Sequence, residues 1–180
     1  MKTFYLSTHH LHNWKRLKHN LATDWQAKLE EDKDTFKNGR GDMGGEHSEF
    51  KFEYTDLYHM IILPFYEESN LVLETSIDSF IEAKYDKSKL IMVLAGEERA
   101  GPETRARALA LREKYLSNFA EFIVTTHPEG VAGEMAGKGS NISYAAEQAR
   151  IEILDKNGID YRKVIVSAFD SDTTIYPQYF

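Results

Sequence analysis

The chain has 180 residues, 42% of them hydrophobic, so it is long enough to bury one core and is close to the usual length of a single domain. A formal net charge of −7 argues against nucleic acid as the main partner, because phosphate backbones are bound by basic surfaces. The lack of cysteine excludes disulfides and thiolate metal sites. No run of the sequence approaches the roughly 20 apolar residues that span a bilayer. Together these two features predict a cytoplasmic protein.

The N-terminal 50 residues predict a helical extension followed by a linker. Apolar residues recur there at steps of three and four, as on one face of a single amphipathic helix: Leu11, Trp14, Leu17, Leu21, Trp25 and Leu29. Basic residues and four of the seven histidines precede Asp24, so the helix could lie on an anionic membrane surface; the alternative is that it packs on its own domain. Residues 30–49 are rich in charge and glycine without a period, which predicts a linker.

Residues 51–180 alternate between apolar runs and stretches with helical spacing. Strands are predicted at 57–64, 89–96, 120–127 and 163–169, and helices at 69–85, 102–118 and 140–158. Pro102 stands in the first turn of the second of these helices, and Gly158 ends the third. Strands that are apolar throughout imply a sheet covered on both faces, so we predict an α/β fold with a doubly wound, mainly parallel sheet.

Ligands of such sheets bind beyond the carboxyl ends of the strands. The segment after the fourth predicted strand holds two aspartates one residue apart, Asp170 and Asp172. In a backbone that is still extended, both carboxylates point to one side, with Ser171 opposite, and such a pair suits Mg²⁺ or Mn²⁺. The alternative is a solvated turn, which Asp and Ser favour.

The segment GEMAGKGS, residues 133–140, invites comparison with a phosphate-binding P-loop. That motif needs four residues between its first glycine and its Gly-Lys pair, with Ser or Thr directly after the lysine. Here three residues separate Gly133 from Gly137, and Gly139 follows Lys138, so the spacing fails. A lysine at the start of a helix can still hold an anion; the alternative is an incidental lysine at a capped helix start.

Aromatic, acidic and histidine residues follow the first three strands. Tyr66 could stack on a base, and a carboxylate beside it could accept a hydrogen bond from a base or a ribose. Glu97 and Glu98 after the second strand are equally consistent with solvated loop residues. His127 after the third strand has no second histidine at ligand spacing, so we interpret it as structural or substrate-adjacent and do not predict zinc.

Four of these segments together resemble family 2 glycosyltransferases of the GT-A fold, with bacterial membrane-associated members as the nearest match. They are Pro-x-Tyr-Glu-Glu after the first strand, an acidic residue after the second, Gly-Lys-Gly-Ser-Asn at the third helix and Asp-Ser-Asp after the fourth strand. The resemblance covers residues 57–180. It implies the Rossmann-like half of that fold, with parallel strands in the order 3-2-1-4.

The resemblance also implies which residues contact the nucleoside. In the family, the first loop cradles the base and the ribose, which corresponds to Pro64, Tyr66 and Glu68 here. The acid that contacts the base is usually Asp within an Asp-Asp-Gly-Ser pattern, whereas this chain has Glu97 within Gly-Glu-Glu-Arg. This difference leaves the identity of the nucleotide open.

The remaining matches concern the diphosphate side of the donor. The family's segment that lines the diphosphate and the sugar corresponds to Gly137, Lys138 and Asn141. Asp170 and Asp172 correspond to the pair that binds the ribose and the divalent ion, Mn²⁺ or Mg²⁺. The resemblance therefore implies a nucleotide-sugar donor and inverting transfer of its sugar to a hydroxyl of a glycan or lipid-linked acceptor.

By the same resemblance, residues 51–180 are expected to be the nucleotide-binding half of an enzyme that is truncated at its C-terminus. The acceptor site and the catalytic base are then expected beyond Phe180, and the isolated chain is expected to be inactive. The complete protein is expected at the inner face of the cell membrane. Two rival functions stay open: a P-loop-like phosphohydrolase, and a non-catalytic doubly wound domain that binds a partner.

Overall fold

A computed structural model describes the backbone of residues 2–37 and 53–180, with the side chains of residues 9–31 and 53–180. The chain divides into two compact units, Met1–Glu49 and Phe50–Phe180. The predicted division at residue 50 and the predicted linker from residue 38 onwards lie outside the described residues. Among the helices that are described, none has the length and apolar character needed to cross a membrane.

The described part of the N-terminal unit contains two helices, α1 (Lys2–Ala22) and α2 (Trp25–Lys37), so the prediction of one continuous helix was wrong. The first helix ends where the Thr23 hydroxyl donates back to a carbonyl of α1 at 2.8 Å. The second begins because the Asp24 carboxylate accepts a hydrogen bond from the Ala27 N–H at 3.1 Å, as an N-cap residue does.

The apolar stripe predicted for this unit is exposed on both helices. Its members are Leu11, Trp14, Leu17, Leu21, Trp25 and Leu29. Residues 30–37 continue α2, so the prediction that a linker begins at residue 30 was wrong. The physical reason is that these residues include no glycine or proline to interrupt a helix, and the first glycine of the chain is Gly39.

The second unit contains a four-stranded sheet and three longer helices. The strands are β1 (Tyr58–Pro64), β2 (Leu90–Glu97), β3 (Glu121–His127) and β4 (Val164–Ala168), and the helices are α3 (Asn70–Ile81), α4 (Gly101–Tyr115) and α5 (Lys138–Ala149). All strands pair in parallel in the order β3-β2-β1-β4, which confirms the predicted α/β fold and strand order. Pro64 pairs with Ala95 and Glu97 with His127, so these strands end at one edge of the sheet.

Both faces of the sheet are covered, which explains why its central strands are apolar throughout. On β1, Ile61 and Leu63 join the cluster packed by α3 and α4, whereas Met60 and Ile62 join the cluster packed by α5. These four side chains are at most 2% exposed. Burial of each contributes about 1.5–3 kcal/mol to folding, so the two clusters hold the sheet edge in a fixed position.

Local start and stop signals position the helices around that edge. The Ser69 side chain accepts a hydrogen bond from a backbone N–H at the start of α3, and Pro102 lies in the first turn of α4 as predicted. Helix α5 begins at Lys138, two residues earlier than predicted, and continues into a π-helical turn, Arg150–Asp155. Gly158 ends this segment as predicted, since its φ of 63° lies in the left-handed region that glycine tolerates.

The chain after β4 folds back along α3 towards the start of β1. The Ile175 N–H donates to the Ser79 hydroxyl of α3 at 3.2 Å. At the end of the chain, the ring of Phe180 lies 4.8 Å from that of His59, centroid to centroid. The C-terminal residues are therefore part of the packed unit.

Candidate functional site

A cavity of about 130 Å³ opens at the carboxyl edge of the sheet, between the ends of three strands and the start of α5. It is lined by Pro64, Phe65, Tyr66, Glu68, Glu97, Lys138, Asn141, Asp170 and Ser171. Seven of these nine residues were predicted from the sequence to bind the donor. They meet because neighbouring parallel strands end at the same edge of a sheet.

Two predicted residues do not line this cavity. Gly137 lines a neighbouring depression of about 490 Å³ beside the start of α5. Asp172 is exposed and lies in a turn, in which the Thr173 N–H donates to the Asp170 carbonyl at 3.0 Å. The predicted extended backbone at these aspartates was therefore wrong, because the chain turns directly after Asp170.

Glu68 connects the loop after β1 to this turn after β4. Its Oε2 accepts a hydrogen bond from the Tyr66 N–H at 2.6 Å, and its Oε1 accepts one from the Ser171 hydroxyl at 2.9 Å. The Ser171 carbonyl in turn accepts a hydrogen bond from the Ser76 hydroxyl of α3 at 2.7 Å. These contacts fix both sides of Ser171, which is why the segment bends.

The same contacts favour the charged form of Glu68. Burial opposes ionisation of its carboxyl, but hydrogen bonds from the N–H groups of Tyr66 and Glu68, the Ser171 hydroxyl and the Glu67 N–H outweigh it. The pKa of the Glu68 carboxyl is therefore lowered from its ordinary value of 4.5. These four donors occupy the four lone-pair sites of the carboxylate, so a ligand hydroxyl would have to replace one of them.

Lys138 forms an ion pair with Asp170 at the mouth of the cavity. Their side chains are 49% and 72% exposed, and such surface pairs contribute only about 0–1 kcal/mol to stability. Lys138 is also the first residue of α5, where backbone N–H groups without helical partners and the helix dipole favour an anion. A cation, a helix N-terminus and a carboxylate thus lie together at one side of the cavity.

Asn141 lines the cavity and carries a buried acceptor without a partner among the described residues. The residue is 1% exposed, and its Nδ2 donates to the Ala95 carbonyl at the end of β2 at 2.8 Å, which assigns the orientation of the amide. Its Oδ1 is buried and has no hydrogen-bond partner among the described residues. An unpaired buried acceptor costs about 1–3 kcal/mol, so a hydroxyl or N–H of a ligand would gain by donating to it.

The ring of Tyr66 is covered on one face by Arg99. The guanidinium carbon lies 4.8 Å from the ring centroid, and the same guanidinium forms an ion pair with Glu97 at the end of β2. A base that stacks on Tyr66 would therefore use the other face of the ring. The pairing also holds the Glu97 carboxylate, which is 10% exposed, at the cavity wall.

His127 lies buried at the end of β3. Its Nε2 forms a hydrogen bond with the Glu134 carboxylate at 2.9 Å, and its ring meets that of Tyr144 edge to face at 5.1 Å. His127 therefore ties the loop before α5 to the sheet. A second cavity of about 310 Å³ lies here and shares Glu97 with the first one.

The structure adds no further protein ligand to the two carboxylates that were predicted to bind a metal ion, within the residues whose side chains are described. Across residues 9–31 and 53–180, no set of three or more histidine or acidic side chains is placed to hold an ion. The predicted ligands are thus Asp170, which is ion-paired with Lys138, and the exposed Asp172.

Several residues that shape the site were not predicted to do so. Phe65 and Ser171 line the cavity, Arg99 covers Tyr66, and the Arg107 guanidinium donates to the Glu68 carbonyl at 3.2 Å. Phe65 and Ser171 lie inside the recognised segments, and Arg99 is two residues from Glu97, so position in the sequence could have drawn attention to these three. Arg107 lies in the middle of α4, and no local signal identifies it.

Comparison with known proteins gives structural matches only. No protein-family model and no curated protein matches the chain. Among solved structures, that of S. aureus TarS 1–349 has a TM-score of 0.44 and 18% identity over 67% of this chain and 29% of that chain. A second structure of S. aureus TarS has a TM-score of 0.41 and 18% identity over 68% of this chain and 18% of that chain. This chain spans less than a third of either structure.

Proposed function

We propose that this chain is the nucleotide-binding part of a glycosyltransferase that transfers a sugar, with inversion, to a glycan or lipid-linked acceptor. The observation that carries the proposal is that Tyr66, Asn141, Lys138 and Asp170 meet in one cavity at the carboxyl edge of a parallel sheet. Together they offer an aromatic face, a buried acceptor, a cation and a carboxylate. A nucleoside diphosphate sugar has a group that complements each of them.

The nucleoside end of the donor is assigned to the loop after β1. The base stacks on the face of Tyr66 that Arg99 leaves open, and Glu97 accepts a hydrogen bond from the base. Glu68 accepts a hydrogen bond from a ribose hydroxyl in place of the Glu67 N–H, and it keeps the contacts with Tyr66 and Ser171 that hold the loop. The cavity of about 130 Å³ is small for the whole donor, so the ligand extends into the adjoining cavity that shares Glu97.

The diphosphate end is assigned to the start of α5. Lys138 exchanges its ion pair with Asp170 for a phosphate oxygen, and the N–H groups of the first turn of α5 add to the positive potential there. Gly137 lets the backbone approach the phosphates because it has no side chain. The Asn141 Oδ1 accepts a hydrogen bond from a sugar hydroxyl, which satisfies its buried lone pairs.

The protein's own oxygen ligands suit a hard divalent ion only together with the phosphates of the nucleotide. Carboxylates are suitable ligands for Mg²⁺ or Mn²⁺, but the two offered by Asp170 and Asp172 leave most of six coordination positions to other oxygens. Phosphate oxygens and water complete such a shell in many nucleotide sites. When bound, the ion would neutralise charge on the departing nucleoside diphosphate.

Calorimetric titration of UDP, GDP and ADP into the chain in the presence of Mn²⁺ tests the proposal. We expect one of them to bind, and Lys138→Ala to weaken its binding roughly tenfold to a hundredfold, as for a lost hydrogen bond to a charged group. Lys156→Ala removes an exposed lysine beyond the far end of α5 and should leave binding unchanged. Failure of all three nucleotides to bind, or equal affinity of the wild type and Lys138→Ala, would contradict the proposal.

A further inference from the structure

Helix α1 has a charge opposite to that of the rest of the chain. Its 21 residues contain four basic residues and no aspartate or glutamate: Lys2, Lys15, Arg16 and Lys18. Since α1 carries +4 and the whole chain −7 with histidine neutral, the remaining residues carry −11. This segregation gives the first helix an electrostatic preference for anionic surfaces that the rest of the chain lacks.

The same helix exposes a continuous apolar stripe. Leu11, Trp14, Leu17 and Leu21 follow one another at steps of three and four, so they share one face, and they are 54%, 52%, 54% and 38% exposed. Lys18 lies along this stripe with its Nζ 3.9 Å from the centroid of the Trp14 ring. Four large apolar side chains left in water on one helix face mark a surface that another phase or molecule covers.

We propose that α1 binds flat on an anionic lipid bilayer, with the four stripe residues inserted among the acyl chains. Lys15 and Lys18 lie one helical turn after Leu11 and Trp14, so they share that side of the helix, and their long side chains let the ammonium groups reach out to the headgroups. Tryptophan is the side chain that most favours this interfacial depth, because its ring is apolar and its N–H is polar. The positive charge, the exposed apolar face and Trp14 are therefore all consistent with an anionic bilayer as the partner of this face.

A second copy of the chain is a poorer occupant of this face. Two α1 helices packed along their stripes would bring eight like charges together without a single acidic residue from either helix. Anionic phospholipid removes that repulsion and adds attraction, about fivefold in affinity for each basic residue near the surface.

Both tryptophans of the chain, Trp14 and Trp25, belong to the N-terminal unit, so tryptophan emission reports on this unit alone. The full chain is titrated with vesicles of phosphatidylcholine, with or without phosphatidylglycerol, and binding is also measured by co-sedimentation. We expect a blue shift and co-sedimentation with the phosphatidylglycerol vesicles that added salt reverses, and neither with phosphatidylcholine alone.

Two matched pairs of variants locate the binding surface. Leu17→Glu should weaken vesicle binding tenfold or more, since burial of a leucine contributes roughly that factor. Leu109→Glu makes the same charge change at an exposed leucine of α4 and should leave vesicle binding unchanged. Lys15→Gln with Lys18→Gln should weaken binding about thirtyfold, whereas Arg105→Gln with Lys156→Gln should have little effect. The glutamine variants keep a good helix former, so they decide the matter even if Leu17→Glu unfolds α1.

The proposal is overturned by any of four results. These are no binding to either vesicle, equal binding to both, equal losses within each matched pair of variants, or a dimer in light scattering whose formation requires Leu17.

Discussion

The Ser171 hydroxyl donates a hydrogen bond to Glu68 Oε1 at 2.9 Å and thereby joins two segments that lie 103 residues apart in the sequence. One segment follows β1 and carries Tyr66, and the other follows β4 and carries Asp170. The two sides of the proposed nucleotide site are thus held together by a carboxylate in the cavity wall. A change at this contact should affect both stability and ligand binding.

Glu68 and Ser171 should show coupled contributions to stability. Glu68→Ala and Ser171→Ala each remove one end of the hydrogen bond, so the double variant should be less destabilised than the sum of the single variants by about 1–2 kcal/mol. Urea unfolding of the four proteins, followed by far-ultraviolet circular dichroism, measures the difference. Additive losses would show that the two segments are not held by this contact.

His59 should make the stability of the sheet unit depend on pH. Burial lowers the pKa of the His59 imidazole below 6.5, so the unfolded chain takes up a proton that the folded chain resists. The contribution of His59 is therefore complete above pH 6.5 and falls as the pH falls through the interval between 6.5 and the folded pKa.

The matched variant for this prediction is His59→Phe. It keeps an aromatic ring beside Tyr85 and Phe180 and removes the His59 Nδ1, which is buried without a hydrogen-bond partner among the described residues. Between about pH 7.5 and pH 5.5, urea midpoints should fall further in the wild type than in the variant. Equal changes in both proteins would assign the pH dependence to other groups.

The sequence predicted the sheet well, because its information is local. Runs such as Met60–Leu63 are apolar at every position, which only a strand covered on both faces requires. The break between α1 and α2 was also readable, since Thr23 and Asp24 are residues that commonly precede a helix. The break was not predicted because the apolar spacing continues without interruption across Thr23 and Asp24.

The turn at Asp170 could not be predicted from spacing along the chain. It depends on Ser76 and Glu68, which contact Ser171 from 95 and 103 residues away. The same holds for the Asn141 amide, whose buried position follows from the Ala95 carbonyl at a distance of 46 residues. Sequence reasoning therefore identified most residues of the cavity but not the contacts that orient them.

Gly96 should be required for the position of Phe65 in the cavity wall. A Cβ at Gly96 would lie 2.9 Å from Phe65 Cζ and 3.1 Å from Cε1, so Gly96→Ala must displace a ring that is only 4% exposed. We expect a loss of about 1–3 kcal/mol in the free energy of unfolding.

Two further proteins test the cause of that loss. Gly139→Ala should be tolerated, because a Cβ there meets no atom within 4 Å. Adding Phe65→Leu to Gly96→Ala should recover part of the stability, since the smaller side chain makes room for the methyl group. If the double variant is as unstable as the sum of its parts, the contact with Phe65 is not the cause.

The central claim is that Asp170 and Asp172 hold a divalent ion against the diphosphate of the donor. If both carboxylates turn towards the diphosphate, they repel its phosphates unless a cation lies between them, so binding of a nucleoside diphosphate should require Mn²⁺ or Mg²⁺. Asp172→Asn keeps the size of an exposed side chain and removes one charge, so it should leave folding nearly intact. The matched control, Glu152→Gln, removes an exposed charge from the π-helical turn.

The decisive measurement is calorimetric titration of the nucleoside diphosphate that binds best into the wild type, Asp172→Asn and Glu152→Gln, each with Mn²⁺ and with a chelator. We predict tight binding to the wild type and Glu152→Gln only with Mn²⁺, and a loss of at least about tenfold in Asp172→Asn, as for a removed charged ligand. Equal affinity with Mn²⁺ and with chelator, or no loss in Asp172→Asn, would contradict the claim and leave Asp170–Asp172 an ordinary solvated turn.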